Sequence, residues 1–139
     1  MMFRVVLTLT LLILGPCAGL AQGRTSFDGT WLVLFTCTTA PDGASGYTLR
    51  YLATVQDGVL HGENGVRGQA ASIALDGTIQ PDGSAMLLAT GLAGDPTYNV
   101  GRARPLSPVS YHVQARFQRT SGTGKRVELR DCEAVFTRQ

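Results

Sequence analysis

Charge, lysine, histidine and catalytic motifs are all scarce in this chain, and each scarcity excludes something. Charged residues make up 16% of the 139 positions, the net charge is +2, and the arginines are scattered. A nucleic-acid footprint needs a basic patch and a far larger excess of Lys and Arg, so the composition argues against that class of partner. There is no G-x-S-x-G, no H-E-x-x-H and no complete P-loop, the signatures of a nucleophile elbow, a zinc protease and a phosphate cradle. Gly124-Lys125 lacks both the upstream glycine and the following Ser or Thr of a P-loop, and reads as a hairpin turn. Gly62, Gly65 and Gly68 form G-x-x-G-x-x-G, which is not the dinucleotide fingerprint, and read as a turn-rich loop. The two histidines, His61 and His112, stand alone without metal-ligand spacing. Both are expected on the surface.

The longest apolar run is short and lies at the start. Residues 1–21 read as a secretory signal peptide. Arg4 supplies the positive start and residues 5–14 the apolar stretch. Gly15 and Pro16 then interrupt it, and Gly19-Leu20-Ala21 places small residues where signal peptidase reads. Cleavage is expected between Ala21 and Gln22, lowering the net charge from +2 to about +1 as Arg4 leaves. The run falls short of the roughly 20 residues of a comfortable membrane span, so no stable membrane insertion is expected after cleavage. A retained anchor is the alternative. Lipidation at Cys17 is another, although Pro16 fits poorly before a lipidated cysteine. The expected location is exported, periplasmic or secreted, in a bacterium. Residues 22–26 read as a flexible N-terminus and residues 27–139 as one domain.

With Cys17 gone, Cys37 and Cys132 remain. In an oxidising compartment two such cysteines pair, and without a His-rich partner they make a poor metal site. In the chain-entropy account, a bridge across so long a loop contributes roughly 4–5 kcal/mol.

Abundant Gly, Thr and Val favour strands and turns over helices. Trp31, Val33, Phe35 and Cys37 share one face of a first strand. Residues 38–46 form a loop around Pro41-Asp42-Gly43. Tyr47, Leu49, Tyr51, Ala53 and Val55 alternate with polar positions broken only by Leu52. Asp57-Gly58 signals a hairpin into Val59-Leu60-His61. Ala71, Ile73 and Leu75 alternate next, and Pro81-Asp82-Gly83-Ser84 turns the chain into a strand around Met86-Leu87-Leu88-Ala89. Within 91–108, residues 97–100 suggest a short strand. Tyr111, Val113, Ala115 and Phe117 define the clearest inward face. Residues 120–124 read as a turn, and 125–138 as one long last strand with Val127, Leu129, Cys132, Ala134 and Phe136 inward.

About eight antiparallel strands in up-and-down order, without a convincing helix, must manage their edges, and closure into a barrel removes them. A Cys37–Cys132 bridge fits antiparallel pairing of the first and last strands. In that register Val33 faces Phe136, Phe35 faces Ala134, and Trp31 faces Arg138. The last pair sets a guanidinium against an indole as a cap on one barrel end.

Phe27-Asp28-Gly29-Thr30-Trp31 resembles the G-x-W start of the calycin barrels, the lipocalins and avidins, and a late arginine near that tryptophan is also lipocalin-like. The layout further resembles a group of uncharacterised exported proteins of alphaproteobacteria. These share a G-T-W start, an early and a late Cys, and an L-x-G-x-I-x-x-D-G hairpin, here Leu75-Asp76-Gly77-Thr78-Ile79-Gln80-Pro81-Asp82-Gly83. The resemblance implies a calycin-like barrel over nearly the whole mature chain. Biotin binding does not carry over, because avidin sites use several tryptophans and this chain has only Trp31. Small periplasmic metalloprotease inhibitors are similar in layout.

Three function classes follow. The leading one is a non-catalytic, monomeric barrel that binds a small apolar ligand or serves the cell envelope, without a cofactor or metal. Its interior candidates are Trp31, Tyr47, Tyr51, Tyr111, Phe117 and Arg138. These line either a filled core or an aromatic pocket, since barrels of this size do both, and a filled core is the more economical expectation. The second class is a protein-interaction module such as a periplasmic protease inhibitor, displaying residues 38–46 or 91–108. The third is an enzyme, which would need His61 and Glu63 to meet another acid in a cleft.

Overall fold

A computed structural model describes residues 25–139. The expected signal peptide, Cys17, the Ala21–Gln22 cleavage point and residues 22–24 lie outside the described residues. The strands are β1 (Gly29–Cys37), β2 (Tyr47–Gln56), β3 (Val59–Asn64), β4 (Ser72–Thr78), β5 (Ser84–Leu92), β6 (Pro108–Phe117), β7 (Ser121–Arg126) and β8 (Cys132–Arg138). Each pairs antiparallel with the next, and β8 returns to β1, so the sheet closes as an eight-stranded up-and-down barrel.

The β1–β8 register follows the disulfide as expected. Cys37 is bonded to Cys132 across 95 positions, with Val33 opposite Phe136, Phe35 opposite Ala134 and Trp31 opposite Arg138. One covalent pair settles an antiparallel register because a slip of one residue would turn every inward side chain outward.

The strand total matches the expectation, but two strands differ. Residues 97–100 are not a strand. Two 3₁₀ turns, Pro96–Tyr98 and Val100–Arg102, occupy that region. Pro96 suits the first helical position, the Asp95 carboxylate accepts the Thr97 N–H at 2.9 Å, and Gly101 takes φ 70°. Of the expected turn at 120–124, residues 121–124 lie in β7, and the long last strand is split by a turn at 127–131. Gly122 and Gly124 are the first two inward positions of β7. A Cβ on Gly122 would lie 2.9 Å from the Phe117 ring, and one on Gly124 2.9 Å from Val113. These glycines are required by crowding, not by turn geometry. Val127 and Leu129, expected inward, are exposed in that turn.

Three smaller corrections concern local frame. Gly62 lies within β3 opposite Ala53, where a Cβ would come within 2.8 Å of the alanine Cβ. Ala71 is exposed at φ 62°, just ahead of β4. Pro108 opens β6, where no ladder N–H is demanded of the first residue.

The two ends of the barrel are built differently. One carries the short connections at 57–58, 79–83 and 118–120 together with the segment 25–28. Beneath them pack Phe27, Trp31, Phe117 and Phe136, with Trp31 and Phe117 edge-to-face at 5.3 Å and Phe117 and Phe136 at 4.7 Å. Below that layer Val33, Val55, Leu60, Leu75, Leu87 and Val113 are fully buried. The other end carries the disulfide and the longer connections at 38–46, 65–71, 93–107 and 127–131.

Candidate functional site

The sequence-derived interior residues divide between these ends. Trp31, Phe117 and Arg138 belong to the closed end. The Trp31 Nε1–H donates to the Phe27 carbonyl at 2.9 Å. The Arg138 guanidinium lies 5.9 Å from the Trp31 ring centroid, within cation–π range, and donates to the carbonyls of Ser26, Asp28 and Arg119. Thr25 and Ser26, at the end of the expected flexible start, form part of this cap. The Thr25 hydroxyl donates to Asp28, whose carboxylate also accepts the Asp57 and Gly58 N–H groups at 3.0 Å. The Thr25 hydrogen bond, followed by the two backbone N–H groups, holds the Asp28 carboxyl below its ordinary value. This end is packed shut.

Tyr47, Tyr51 and Tyr111 belong to the open end. Period two on β2 and β6 brings Tyr47, Leu49, Tyr51, Val109 and Tyr111 to the inner face, and Ile73 joins them from β4. All of these but Tyr51 border a pocket of about 210 Å³ that extends under Ala93, Asp95 and Tyr98 of the 93–107 connection. Tyr47 and Tyr98 meet edge-to-face at 6.5 Å, and Phe35 stacks on Tyr111 at 5.7 Å. Burial, and secondarily the neighbouring Tyr47, pushes the Tyr51 and Tyr111 phenols well above their ordinary value. Both are therefore protonated and able to donate at neutral pH.

Two arginines that the sequence did not single out complete this end. Arg126 is the third inward position of β7 after Gly122 and Gly124, and its guanidinium carbon sits 4.0 Å from the Tyr111 centroid. Period two would have revealed it only if β7 had been recognised. Arg130, 5% exposed, lies 5.1 Å from the Tyr47 centroid. It donates to the carbonyls of Thr38, Ser45 and Tyr98, tying the 38–46 and 93–107 connections to its own turn. The same two connections are joined by Ser45 N–H to Thr97 O at 2.9 Å and Gly101 N–H to Asp42 Oδ2 at 2.6 Å.

The histidines gather acids on the outer surface. His61 Nδ1 is 2.5 Å from Asp76 Oδ1, its cross-strand neighbour, and Nε2 is 3.8 Å from Glu63. Glu63 also pairs with Arg67. The cluster is solvent-facing and about half exposed. A nearby hollow of about 200 Å³, bordered by Glu63, Arg67 and Thr90, does not include His61. The acid pairing that the enzyme reading asks for is present, and it lies on the exposed surface with His61 outside that hollow. His112 likewise meets Glu128 at 2.6 Å on the outer face. Among the described residues, no three His, Cys, Asp or Glu side chains converge as a metal set. A further hollow of about 760 Å³ is an open trough between outward-facing side chains of β5–β8 such as Met86, Arg116 and Glu133. It lies outside the barrel, so size alone does not identify the site.

Comparison with protein-family models, with curated proteins and with solved structures finds no match.

Proposed function

We propose that this chain is an exported, monomeric binding barrel that holds one small, largely apolar ligand at its open end and performs no chemistry on it. The observation that carries the proposal is the pocket walled by Tyr47, Leu49, Ile73, Val109 and Tyr111, set in a barrel whose opposite end is packed. Apolar walls with a few polar groups are the usual make-up of a small-molecule site. The pocket is smaller than the roughly 300–1,000 Å³ of drug-sized sites, so the ligand, or the part of it inside, is small. Export is supported by the leader-like residues 1–21 and by the disulfide, which persists in oxidising compartments.

A second reading rests on the joined connections 38–46 and 93–107. Held together by Arg130 and by their own backbone bonds, they present one continuous surface suited to a protein partner, as in a periplasmic protease inhibitor or an envelope component. Native mass spectrometry of the exported protein, before and after denaturation, separates the two. A mass released on denaturation supports the carrier and identifies its cargo. If no mass is released and an envelope protein is captured by pull-down, the second reading stands instead.

A further inference from the structure

The open end holds a partly buried cation that forms no ion pair among the described residues. Arg126 points inward from β7 and is only partly exposed. Its Nε–H donates to the Glu128 carbonyl at 2.8 Å. Its terminal nitrogens have neither a hydrogen-bond acceptor nor an ion-pair partner among the described residues. The nearest acid in sequence, the Glu128 carboxylate, reaches it only through its field: its two oxygens take the His112 N–H at 2.8 Å and His112 Nδ1 at 2.6 Å. Arg130 adds a second buried guanidinium, paired only with carbonyls and with an Nε that has no partner. Around them stand the hydroxyls of Tyr47, Tyr51 and Tyr111, none with a protein partner among the described residues. Asp95, the acid at the pocket rim, uses Oδ1 as the cap of the first 3₁₀ turn.

A partly buried cation without a counter-ion is costly, and burial indeed pulls the Arg126 guanidinium below its ordinary value. Stacking on Tyr111 offsets only part of that cost. A set of donors with so few acceptors complements an anion.

We infer that the ligand of the open end is an organic anion with an apolar body, its carboxylate-type head bound by Arg126 and the tyrosine hydroxyls and its body in the Tyr47–Ile73–Val109 pocket. This rests on the binding reading above and deepens it by naming the ligand's charge. The head has to lie beside Tyr111, where the guanidinium and the pocket share one ring. Arg130, already held by three carbonyls, contributes its field rather than its hydrogen bonds. The outward Arg116 and Lys125 play no part.

The test is isothermal titration of the disulfide-bonded protein, at neutral pH and low salt, with hexanoate, with hexanamide of the same shape, and with acetate. A charge-assisted hydrogen bond contributes about 1.5–3 kcal/mol, so hexanoate is expected to bind about tenfold or more tighter than hexanamide, and acetate to bind far more weakly than either. Arg126→Gln is expected to remove the preference, hexanoate losing about tenfold or more affinity relative to hexanamide, and Arg126→Lys to restore part of it. Equal binding of acid and amide, or a preference that survives Arg126→Gln, overturns the inference and leaves the apolar pocket standing. If none of the three binds to protein that is folded by circular dichroism, the inference falls together with the binding reading.

Discussion

The closed and open ends of this barrel use the same parts to opposite effect. Each sets a guanidinium beside an aromatic ring and stitches neighbouring segments through backbone carbonyls: Arg138 with Trp31 at one end, Arg130 with Tyr47 at the other. At the closed end the rings are Phe and Trp, the indole N–H is satisfied internally, and the connections are short, so the space is filled. At the open end the rings are tyrosines whose hydroxyls find no partner among the described residues, and the longer connections stand over a pocket. The same contrast separates stability from function, and substitutions should respect it.

The largest expected effect is at the closed end. Trp31→Ala should cost about 3–5 kcal/mol in denaturant melts, because the ring is fully buried and touches Phe117. A loss near 1 kcal/mol would mean that this end is not the packed one. Next in size, Cys37→Ser and Cys132→Ser should each cost about 2–5 kcal/mol and to the same extent. The double variant should be no worse than either, since only one bond is lost, and additive losses would break the pairing. Gly122→Ala should destabilise by about 1–3 kcal/mol through overpacking against Phe117. A neutral result would mean that β7 is as loose as its sequence suggests. Tyr47→Phe at the open end should change stability by less than about 1 kcal/mol, because the lost hydroxyl had no partner among the described residues to leave unpaired. Its effect belongs in ligand affinity.

The smallest effect is with pH. Asp28, Asp42, Asp82, Asp95 and Glu128 all have carboxyls held below their ordinary values. A hydrogen bond is the largest cause in each: the Thr25 hydroxyl for Asp28, the Gly101 N–H for Asp42, the Ser84 hydroxyl for Asp82, the Thr97 N–H for Asp95 and the His112 N–H for Glu128. A depressed carboxyl adds stability above its unfolded value, and that stability is lost as pH falls through the lower folded value. Stability should therefore hold above about pH 5 and decline below about pH 4. Asp42, Asp95 and Glu128 anchor open-end connections, so amide exchange monitored by NMR should rise there first.

How far the sequence revealed this structure depended on which side chains carried the alternation. In β2 and β6 large inward residues such as Tyr51, Val55, Val113 and Phe117 made period two visible, and the Cys37–Cys132 pair gave the β1–β8 register in full. In β7 the first two inward residues are Gly122 and Gly124, whose absent side chains are a packing device and yet look like turn signals. Missing β7 hid Arg126, the cation on which the ligand inference turns. Residues 97–100 carry strand-forming Thr, Tyr and Val, but Pro96, the Asp95 cap and the positive φ of Gly101 prevail over propensity. The site itself was half legible. Tyr47 and Tyr111, which line the pocket, were legible as inward residues, but the division of the interior into a filled end and a hollow end was not, because inward-facing residues look alike whether or not they meet.

The most direct measurement is methyl-resolved NMR of the protein titrated with hexan-1-ol, a neutral probe of apolar space. The account predicts shifts at Leu49, Ile73, Ala93 and Val109, with Val33, Leu60, Leu87 and Val113 unmoved. Shifts spread equally over both groups, or none at Ile73 and Val109, would contradict the division into a packed end and a binding end.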